Sequence, residues 1–437
     1  MGADVDHSTR DYFNHNSEHL RARWPEVWNR VVSAPSPHRI DVLDDAREFT
    51  LFVDGIQLSS CYDRAREAEQ QAALIPMDSE TGWVYGVGTG DLINVLLTRP
   101  HLRKLHVVIM NAAVFRASLR HFDHGGWLAD DRVELHFADG QHDINTPFAA
   151  VPACLALAES SASRLKELVV LELNTPYINR RFNTNPTFID QLATNRERIA
   201  GDGDVCELFG TQNGGTVCVV GAGPTLGDHF QRLREAQRQG HVIVAVDAAL
   251  KPLLLERIVP DVVVTIDGKR EGILPYFAMD LDDCRNTPLV YFPVVHPDVL
   301  TRWPGPRLTA YSASPLFETV ARQWPKGVLF ASGSVIHPAV DVAVKLGAGC
   351  VQLVGADFSY PYGRSHVVMS VFAREIDDQN APGQVWLTNG EGRRVRSVNN
   401  LCGYLRDLER YIARHGDVSF INMSRQGAWI AGADYLE

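Results

Sequence analysis

The stretch that decides the fold of this 437-residue chain is Val217-Cys218-Val219-Val220-Gly221-Ala222-Gly223-Pro224-Thr225-Leu226. Its first four residues are β-formers, which predict a strand buried on both faces of a parallel sheet. The two glycines predict a tight turn, and a helix is expected to begin near Thr225. Backbone amides at such a turn bind anions. Close packing of a strand on a helix also requires glycine, so both interpretations stay open at this point.

Composition restricts the class of protein. The net charge is −11 and the pI about 5.8, which argues against a nucleic-acid surface. The seven cysteines include no C-x-x-C pair, which is typical of reduced thiols and predicts neither a disulfide framework nor a metal site. No apolar run reaches the ~18 residues of a membrane span, and the N-terminal stretch has no signal-peptide core. We therefore expect a cytoplasmic protein without a membrane span.

Apolar runs and helical stretches alternate in two parts of the chain. Such alternation predicts parallel sheets with right-handed crossovers, so we expect an α/β protein with two Rossmann-like domains in tandem. The predicted strands lie at 82–85, 106–110, 133–137 and 168–173 in the first domain, and at 216–220, 241–246, 262–266, 289–292, 328–330 and 350–354 in the second. The predicted domains are 1–75, a lead-in with a hairpin and a helix; 76–204, the first Rossmann-like domain; and 205–437, the second, which ends in a helix and a strand.

The first domain has a glycine loop of its own, Gly86-Val87-Gly88-Thr89-Gly90, directly after a strand. This loop looks like the cofactor loop of S-adenosylmethionine methyltransferases. The next strand ends at Asn111, at the position where a carboxylate normally binds the ribose hydroxyls. We therefore interpret the first loop as part of a scaffold, with a methyltransferase as the alternative.

Ligands of open α/β sheets bind beyond the carboxyl ends of the strands. In the second domain, these ends carry the candidate binding residues Gly221, Gly223, Pro224, Thr225, Asp247, Ser332, Gly333 and Ser334. The two glycine-containing turns among them are predicted to bind a phosphate through backbone amides. Asp247 and Asp267 each follow a buried strand, so each carboxylate needs a donor, a sugar hydroxyl or a cation. Capping of a helix or turn is the alternative role for these groups.

The candidate catalytic residues are Asp267, Asp357, Tyr360, Tyr362 and His366. The imidazole of His366, the two phenols and nearby Arg364 offer groups that protonate, orient and neutralise a leaving phosphate. The alternative for His366 is a solvated loop residue.

Six motifs follow the order found in the central domain of the bacterial motility accessory factors, which this chain therefore resembles. They are 221–226, 246–253, 260–267, 332–335, 355–360 with His366, and 426–432. The region with the first glycine loop resembles the N-terminal domain of the same family. Two motifs depart from the usual pattern: Ser332 begins the turn that usually reads Gly-Gly-Ser, and Gln426 begins the one that usually reads Gly-Gly-Ala.

The resemblance implies a flagellin glycosyltransferase that moves a nonulosonic (sialic-acid-like) sugar from a CMP-activated donor to Ser or Thr. It implies no tightly bound cofactor, a nucleotide-sugar donor as substrate, and flagellin or another protein as acceptor. The two glycine turns would hold the donor phosphate, and Asp247 and Asp267 would position the ribose or the acceptor. Tyr360, Tyr362 and His366 would assist departure of the phosphate or deprotonate the acceptor hydroxyl.

The central domain of this family is also similar to bacterial sialyltransferases and to 6-hydroxymethylpterin diphosphokinase. One alternative is therefore a diphosphokinase that uses ATP and Mg²⁺, with Asp247, Asp267 or Asp357 as metal ligands. Another is a non-catalytic partner of flagellin that keeps the fold without binding a nucleotide tightly.

Overall fold

The computed structural model describes residues 11–37, 39–43, 47–138, 143–376 and 384–436. The chain divides into two compact units between Asn174 and Thr175. Each unit contains a parallel sheet flanked by helices, so the predicted α/β class with two Rossmann-like sheets is confirmed. None of the helices in these ranges combines the length and the hydropathy that a membrane-spanning helix requires.

The first unit combines a small antiparallel sheet with a four-stranded parallel one. Its strands are β1 Ile40–Leu43, β2 Thr50–Val53, β3 Ile56–Gln57, β4 Thr81–Tyr85, β5 Lys104–Ile109, β6 Val133–Phe137 and β7 Phe148–Ala150. Its helices are α1 Phe13–Arg23, α2 Pro25–Ser33, α3 Arg64–Ala72, α4 Asp91–Leu97, α5 Ala112–His121, α6 Gly125–Leu128, α7 Pro152–Ala156 and α8 Ser163–Asn183, which continues into the second unit. Strands β1 to β3 pair in sequence, and the parallel sheet has the order β6-β5-β4-β7.

The apolar run at 168–173 is helical, which corrects the predicted strand. It lies inside α8, where Leu165, Leu168 and Val169 are buried. This spacing of three and four residues is the period of a helix packed on one side. The fourth strand of the sheet is instead β7, a shorter segment that pairs with β4.

The second unit is built on a nine-stranded sheet in which all neighbouring strands run parallel. Its strands are β8 Gly203–Asp204, β9 Thr216–Val220, β10 Val242–Val246, β11 Val262–Thr265, β12 Leu289–Tyr291, β13 Arg307–Thr309, β14 Cys350–Val354, β17 Ser419–Asn422 and β18 Asp434–Tyr435, and a separate hairpin is formed by β15 Gln384–Thr388 and β16 Arg394–Val398. The helices are α9 Pro186–Thr194, α10 Arg196–Gly201, α11 Phe230–Arg238, α12 Asp247–Leu255, α13 Arg270–Ile273, α14 Pro297–Arg302, α15 Glu318–Gln323, α16 Ile336–Lys345 and α17 Asn399–Arg414.

The strand order places the reversal of the chain at the centre of this sheet. The order is β18-β17-β14-β9-β10-β11-β12-β13-β8. From β9 the chain proceeds outward in one direction as far as β13, and it then returns to the other side of β9 as β14. Ligands of open α/β sheets bind at such a switch point, beyond the carboxyl ends of the strands. The turns after β9 and β14 therefore mark the candidate site.

The unit boundary lies earlier than the one predicted near residue 205. Helices α9 and α10 belong to the second unit because Phe188, Leu192 and Ile199 pack against its core. The amide group of Asn195 also donates to the backbone oxygens of Pro293 and Val295, at 2.9 and 2.8 Å. The polar sequence from 177 to 203 concealed these contacts, because the apolar residues are spread over two short helices.

The edge of the large sheet also differs from the prediction. Residues 328–330 form only an isolated bridge between Val328 and Tyr311, whereas β13 supplies the pairing strand. Strand β13 is only three residues long and contains an arginine, which explains why the pattern of apolar residues did not reveal it.

The turns after β9 and β14 approach each other so closely that glycine is required in both. A Cβ atom at Gly221 would lie 2.6 Å from the carbonyl oxygen of Gly355, and a Cβ at Gly355 would lie 2.6 Å from the oxygen of Gly221. Real Cβ atoms do not approach an oxygen this closely, since the repulsion exceeds any packing gain. Gly355 also has a φ of +63°, which glycine adopts readily. The glycines thus fix how β9 and β14 end.

Gly223→Ala tests this constraint. Its Cβ would collide with the Asp357 carboxylate and lie 2.6 Å from the Gly355 oxygen, so we expect a loss of about 2–3 kcal/mol in the free energy of unfolding. Gly227→Ala is the matched control, because its nearest neighbour is the Val367 Cγ2 atom at 3.7 Å, and we expect a change within about 1 kcal/mol. Urea denaturation measures both. Equal stability of the two variants would contradict the constraint.

Candidate functional site

The turn after β9 uses most of its backbone donors inside the protein. The amides of Gly221 and Gly223 donate to the oxygens of Val354 and Gly355, at 2.8 and 2.9 Å. Pro224 has no amide hydrogen and begins a 3₁₀ helix, and the amide of Thr225 donates to Asp357 at 2.9 Å. The turn therefore joins β9 to β14 as observed, and its role in phosphate binding stays a prediction.

Asp357 lies directly under this turn. One carboxylate oxygen accepts from the Thr225 amide and the other from the Thr225 hydroxyl, at 2.5 Å. A Cβ at Gly427 would lie 2.7 Å from the same carboxylate. The C-terminal segment therefore also packs against the Asp357 side chain. Burial raises the pKa of Asp357 to about 6, against the lowering effect of the Thr225 bonds. The bonds to Thr225 show that Asp357 holds the turn after β9 in place. A catalytic role for Asp357 stays a prediction.

Asp247 is a buried carboxyl at the end of β10. Its side chain is bonded to the Thr265 hydroxyl at 2.8 Å and to the Ala248 amide at 2.7 Å, and the residue is only 4% exposed. Burial raises its pKa to about 7, and the nearby charge of Asp267 acts in the same direction. A carboxyl that titrates near neutrality is suited to proton transfer.

Asp267 occupies the next strand end and is exposed. Its carboxylate accepts from the Lys269 amide at 3.1 Å. The same charge contributes to raising the pKa of Asp247, Tyr276 and Tyr404, although burial is the larger cause in each case. Asp267 is therefore an exposed carboxylate close enough to a buried carboxyl and two phenols for its charge to act on them.

The Ser332-Gly333-Ser334 turn borders the same group of residues. A Cβ at Gly333 would lie 2.9 Å from the ring of Tyr404, and Gly333 has a φ of +80°. The Ser332 hydroxyl donates to Asp407 at 2.5 Å, and the Ser334 oxygen accepts from the His337 amide at 3.2 Å. These contacts attach the turn to α17 and to the start of α16. Phosphate binding by this turn stays a prediction.

A segment of the chain, residues 366–372, crosses the carboxyl ends of β9 and β10. We call it the crossing segment. The Val367 amide donates to the oxygen of Ala222 at 3.0 Å, and the Ser370 hydroxyl approaches the oxygen of Ala248 at 3.4 Å. Phe372 then packs edge-on against Tyr276, with ring centroids 5.3 Å apart. The segment thus runs from the turn after β9 to the residues around Asp247.

His366 begins the crossing segment, next to the turn after β9. Burial lowers its pKa, and the positive charge of Arg374 lowers it further. The Ser365 hydroxyl lies 3.1 Å from its Nδ1 atom. Arg374 also acts on Tyr360, whose pKa burial raises. A neutral imidazole beside a cation can accept a proton while an anion is held nearby.

Tyr362 is one of the exposed residues among the predicted catalytic residues. It is 53% exposed, and its hydroxyl donates to Asp228 at 2.7 Å. Burial of the hydroxyl, this bond and the charge of Asp357 raise its pKa. Tyr362 and Phe358 have φ values of +59° and +46°, which are strained for residues with side chains. Strain of this kind is concentrated at functional sites in many proteins.

The predicted residues thus form two neighbouring groups. Around the turn after β9 lie Gly221, Gly223, Pro224, Thr225, Asp357, Tyr360, Tyr362 and His366, and around the ends of β10 and β11 lie Asp247, Asp267, Ser332, Gly333 and Ser334. The crossing segment links the two groups.

Sequence reasoning missed Arg374, Tyr276 and Tyr404. Arg374 and the crossing segment lie in a stretch without periodicity, and Tyr276 lies in an irregular turn. Tyr404 belongs to the predicted C-terminal helix, which runs as α17. The apolar face of that helix identified it as packed, but no sequence signal indicated which residue would face the sheet edge.

The glycine loop of the first unit is filled from within. The Gly88 amide donates to the Cys154 sulfur at 3.2 Å, and a Cβ at Gly86 would collide with the same cysteine. Asn111 caps α5 by accepting from the Ala113 amide at 2.9 Å, and its amide group donates to Leu157 at 2.7 Å. These partners support the scaffold interpretation.

Comparison with known proteins identifies part of the second unit. Residues 188–363 match the family model described as 6-hydroxymethylpterin diphosphokinase MptE-like. We call residues 188–363 the MptE-like domain, after the family model that they match. The similarity extends to one curated protein. The chain is 32% identical over 146 residues to the 6-hydroxymethyl-7,8-dihydropterin pyrophosphokinase of Methanothermobacter thermautotrophicus, an alignment that covers 32% of this chain and 56% of that protein. This chain thus spans little more than half the length of the curated relative that it matches.

One solved structure aligns with nearly the whole chain. It is the MAf glycosyltransferase of Magnetospirillum magneticum AMB-1, with a TM-score of 0.44 and 17% sequence identity. The alignment covers 98% of this chain and 74% of that one.

Asp247→Asn tests the state of the buried carboxyl. Because the pKa is about 7 in the folded protein and near 3.8 for an ordinary Asp, the folded state binds more protons between those values. The free energy of unfolding of the wild type should therefore fall relative to the variant as pH rises from about 4 to about 7, by about 2–4 kcal/mol, and then level off. Chemical denaturation across this range measures the difference.

Asp190→Asn is the control, because Asp190 is an exposed carboxylate on α9. The pH profile of this variant gives the baseline for removing a surface carboxylate, against which the profile of Asp247→Asn is compared. A constant difference between wild type and Asp247→Asn would show that folding does not raise the pKa of Asp247, which would contradict the assignment.

Proposed function

We propose that the second unit is a glycosyltransferase. It would move a nonulosonic sugar from a CMP-activated donor to Ser or Thr hydroxyls of a protein acceptor such as flagellin. The observation that carries the proposal is that the site extends beyond the MptE-like domain. His366, Arg374, Tyr404 and Gly427 all follow residue 363. Gly427 packs against Asp357, and Tyr404 packs against Gly333. His366 precedes Val367, whose amide donates to the oxygen of Ala222, and the charge of Arg374 acts on His366.

The ordered motifs of the sequence support the same proposal. The resemblance to the motility accessory factors includes the stretch 426–432, and the Ala428 amide of that stretch donates to the backbone carbonyl oxygen of Asp357 at 2.8 Å. A motif outside the MptE-like domain is thus bonded to the strand end at the centre of the sheet. A larger domain of the accessory-factor type accounts for this contact, and the diphosphokinase-like region alone does not contain it.

The mechanism assigns separate tasks to the two groups of residues. Exposed Asp267 accepts hydrogen bonds from the donor ribose, and Asp247 fixes the strand end behind it. Arg374 neutralises the phosphate of the departing CMP. The bond between the sugar and the phosphate oxygen breaks, the acceptor hydroxyl oxygen bonds to the sugar, and its proton passes to neutral His366. Such a base contributes about 10²–10⁴-fold to the rate.

Turnover by two variants tests this assignment. His366→Gln should lower kcat about 10²–10⁴-fold, because glutamine cannot accept the proton. His415→Gln is the control, since His415 lies at the end of α17 and its ring contacts only the Tyr411 ring and backbone among the contacts described. The assay follows transfer from a CMP-activated nonulosonic sugar to a Ser- and Thr-containing flagellin. Equal rates for His366→Gln and the wild type would contradict the role of His366.

The second candidate is a pyrophosphokinase, which the MptE-like match and the relative of 32% identity favour. Such an enzyme would transfer a diphosphoryl group from ATP to a pterin hydroxyl, with Asp247, Asp267 or Asp357 binding Mg²⁺ together with the phosphates. The two candidates differ in the nucleotide that they release.

Release of CMP from the activated sugar supports the glycosyltransferase. Release of AMP from ATP in the presence of Mg²⁺ and a hydroxymethylpterin, without turnover of the CMP sugar, would contradict the glycosyltransferase and support the pyrophosphokinase. A folded protein that turns over neither donor but binds flagellin would support the non-catalytic partner.

A further inference from the structure

Three side chains capable of binding a metal converge on the parallel sheet of the first unit. His106 lies on β5, and Glu134 and His136 lie on β6. His106 pairs directly with Glu134 in the ladder, and His136 is two residues further along the same strand. Because side chains alternate along a strand, the three project from the same face. Within the described ranges, no other group of three histidine, cysteine or acidic side chains brings its ligand atoms so close together.

The distances between the ligand atoms fit a single ion. His106 Nδ1 lies 3.1 Å from His136 Nε2 and 3.3 Å from the Glu134 Oε2 atom, and His136 Nε2 lies 3.8 Å from the same oxygen. Ligands about 2.0–2.1 Å from a tetrahedral zinc ion are separated by about 3.3–3.4 Å. The spacing of the three ligand atoms is therefore close to the spacing that a single tetrahedral ion requires.

The surroundings hold these ligands in place and leave one side open. The Trp83 ring stacks on His106, with centroids 4.0 Å apart and an interplanar angle of 11°. Lys104 bonds to the other Glu134 oxygen at 2.7 Å, so it orients the carboxylate as the outer partners of metal ligands do. The side chains of His106, His136 and Glu134 are 12%, 35% and 44% exposed, so water can complete the coordination.

We propose that His106, Glu134 and His136 bind a divalent transition-metal ion, with Zn²⁺ as the preferred ion. Two imidazoles and one carboxylate suit zinc, iron, cobalt, nickel or copper, whereas Mg²⁺ and Ca²⁺ prefer oxygen ligands alone. Because β6 is the edge strand of the sheet and β5 its only neighbour in the sheet as described, the ion clamps the edge strand to the sheet interior. The open position resembles the water site of a three-ligand zinc centre.

The alternative is a polar cluster that needs no metal. In that case one imidazole donates to the other across the 3.1 Å contact, and Glu134 is held by Lys104. Such a cluster would also be expected on an exposed face of a sheet, and it would not respond to added metal. The two cases differ in the number of Zn²⁺ ions bound per chain, in the effect of removing a ligand side chain on that binding, and in the change of melting temperature when metal is added.

Metal titration of the full chain without an affinity tag tests the proposal. We expect one equivalent of Zn²⁺ to bind and raise the melting temperature. The affinity should fall at least about tenfold in His136→Ala and in Glu134→Gln, because each loses one ligand. Glu134→Gln keeps the size of the side chain, so it remains informative if the alanine variant folds poorly. His101→Ala is the matched control, an exposed histidine of the same unit outside the triangle.

Spectroscopy locates the bound ion. Co²⁺ should give d–d bands without a thiolate charge-transfer band, since the triangle contains no cysteine, and it should quench tryptophan fluorescence. Most of this quenching should disappear in Trp83→Phe, because Trp83 is stacked on a proposed ligand. Equal affinity of the wild type, His136→Ala and Glu134→Gln would overturn the proposal, as would the absence of stoichiometric binding or a spectrum dominated by thiolate ligands.

Discussion

The close approach of Gly221 and Gly355 is the constraint on which the second unit depends. Each glycine lies where the other's carbonyl oxygen leaves no room for a side chain. This contact brings together the ends of the two central strands, and Asp357 then bonds to Thr225 across the junction. The strand order reverses at the same place. The candidate site is therefore built around this junction, and several of its titratable side chains come from the segments that pack over it.

This arrangement changes how the opening glycine motif is understood. The motif predicts a phosphate-binding turn, but the observed amides of Gly221, Gly223 and Thr225 already have protein acceptors. The groups with chemistry suited to a substrate lie beside the turn. They are the buried carboxyl of Asp247, exposed Asp267, and the imidazole of His366 near Arg374. A glycine motif after a strand thus indicates a switch point more securely than it indicates the ligand's contacts.

The sequence predicted the features that depend on local pattern. Continuous apolar runs identified β9, β10, β11 and β14, because strands that are buried on both faces are apolar at every position and do not alternate with polar residues. The strand predicted at 168–173 was wrong, because a short apolar run fits a strand or a buried helix equally well. The crossing segment and Arg374 were not predictable, because their positions depend on single contacts to Ala222 and Tyr276 rather than on periodicity. The triangle of His106, Glu134 and His136 required the strand register.

Hydrogen–deuterium exchange of the full chain with and without CMP tests the central claim most directly. We propose that CMP binds at the carboxyl edge of the large sheet, between the end of β10 and the crossing segment. We therefore expect slower exchange in peptides that cover 247–250 and 366–376 when CMP is bound, because ordered backbone opens less often. Protection confined to the first glycine loop at 86–90, or no protection at saturating CMP, would contradict it.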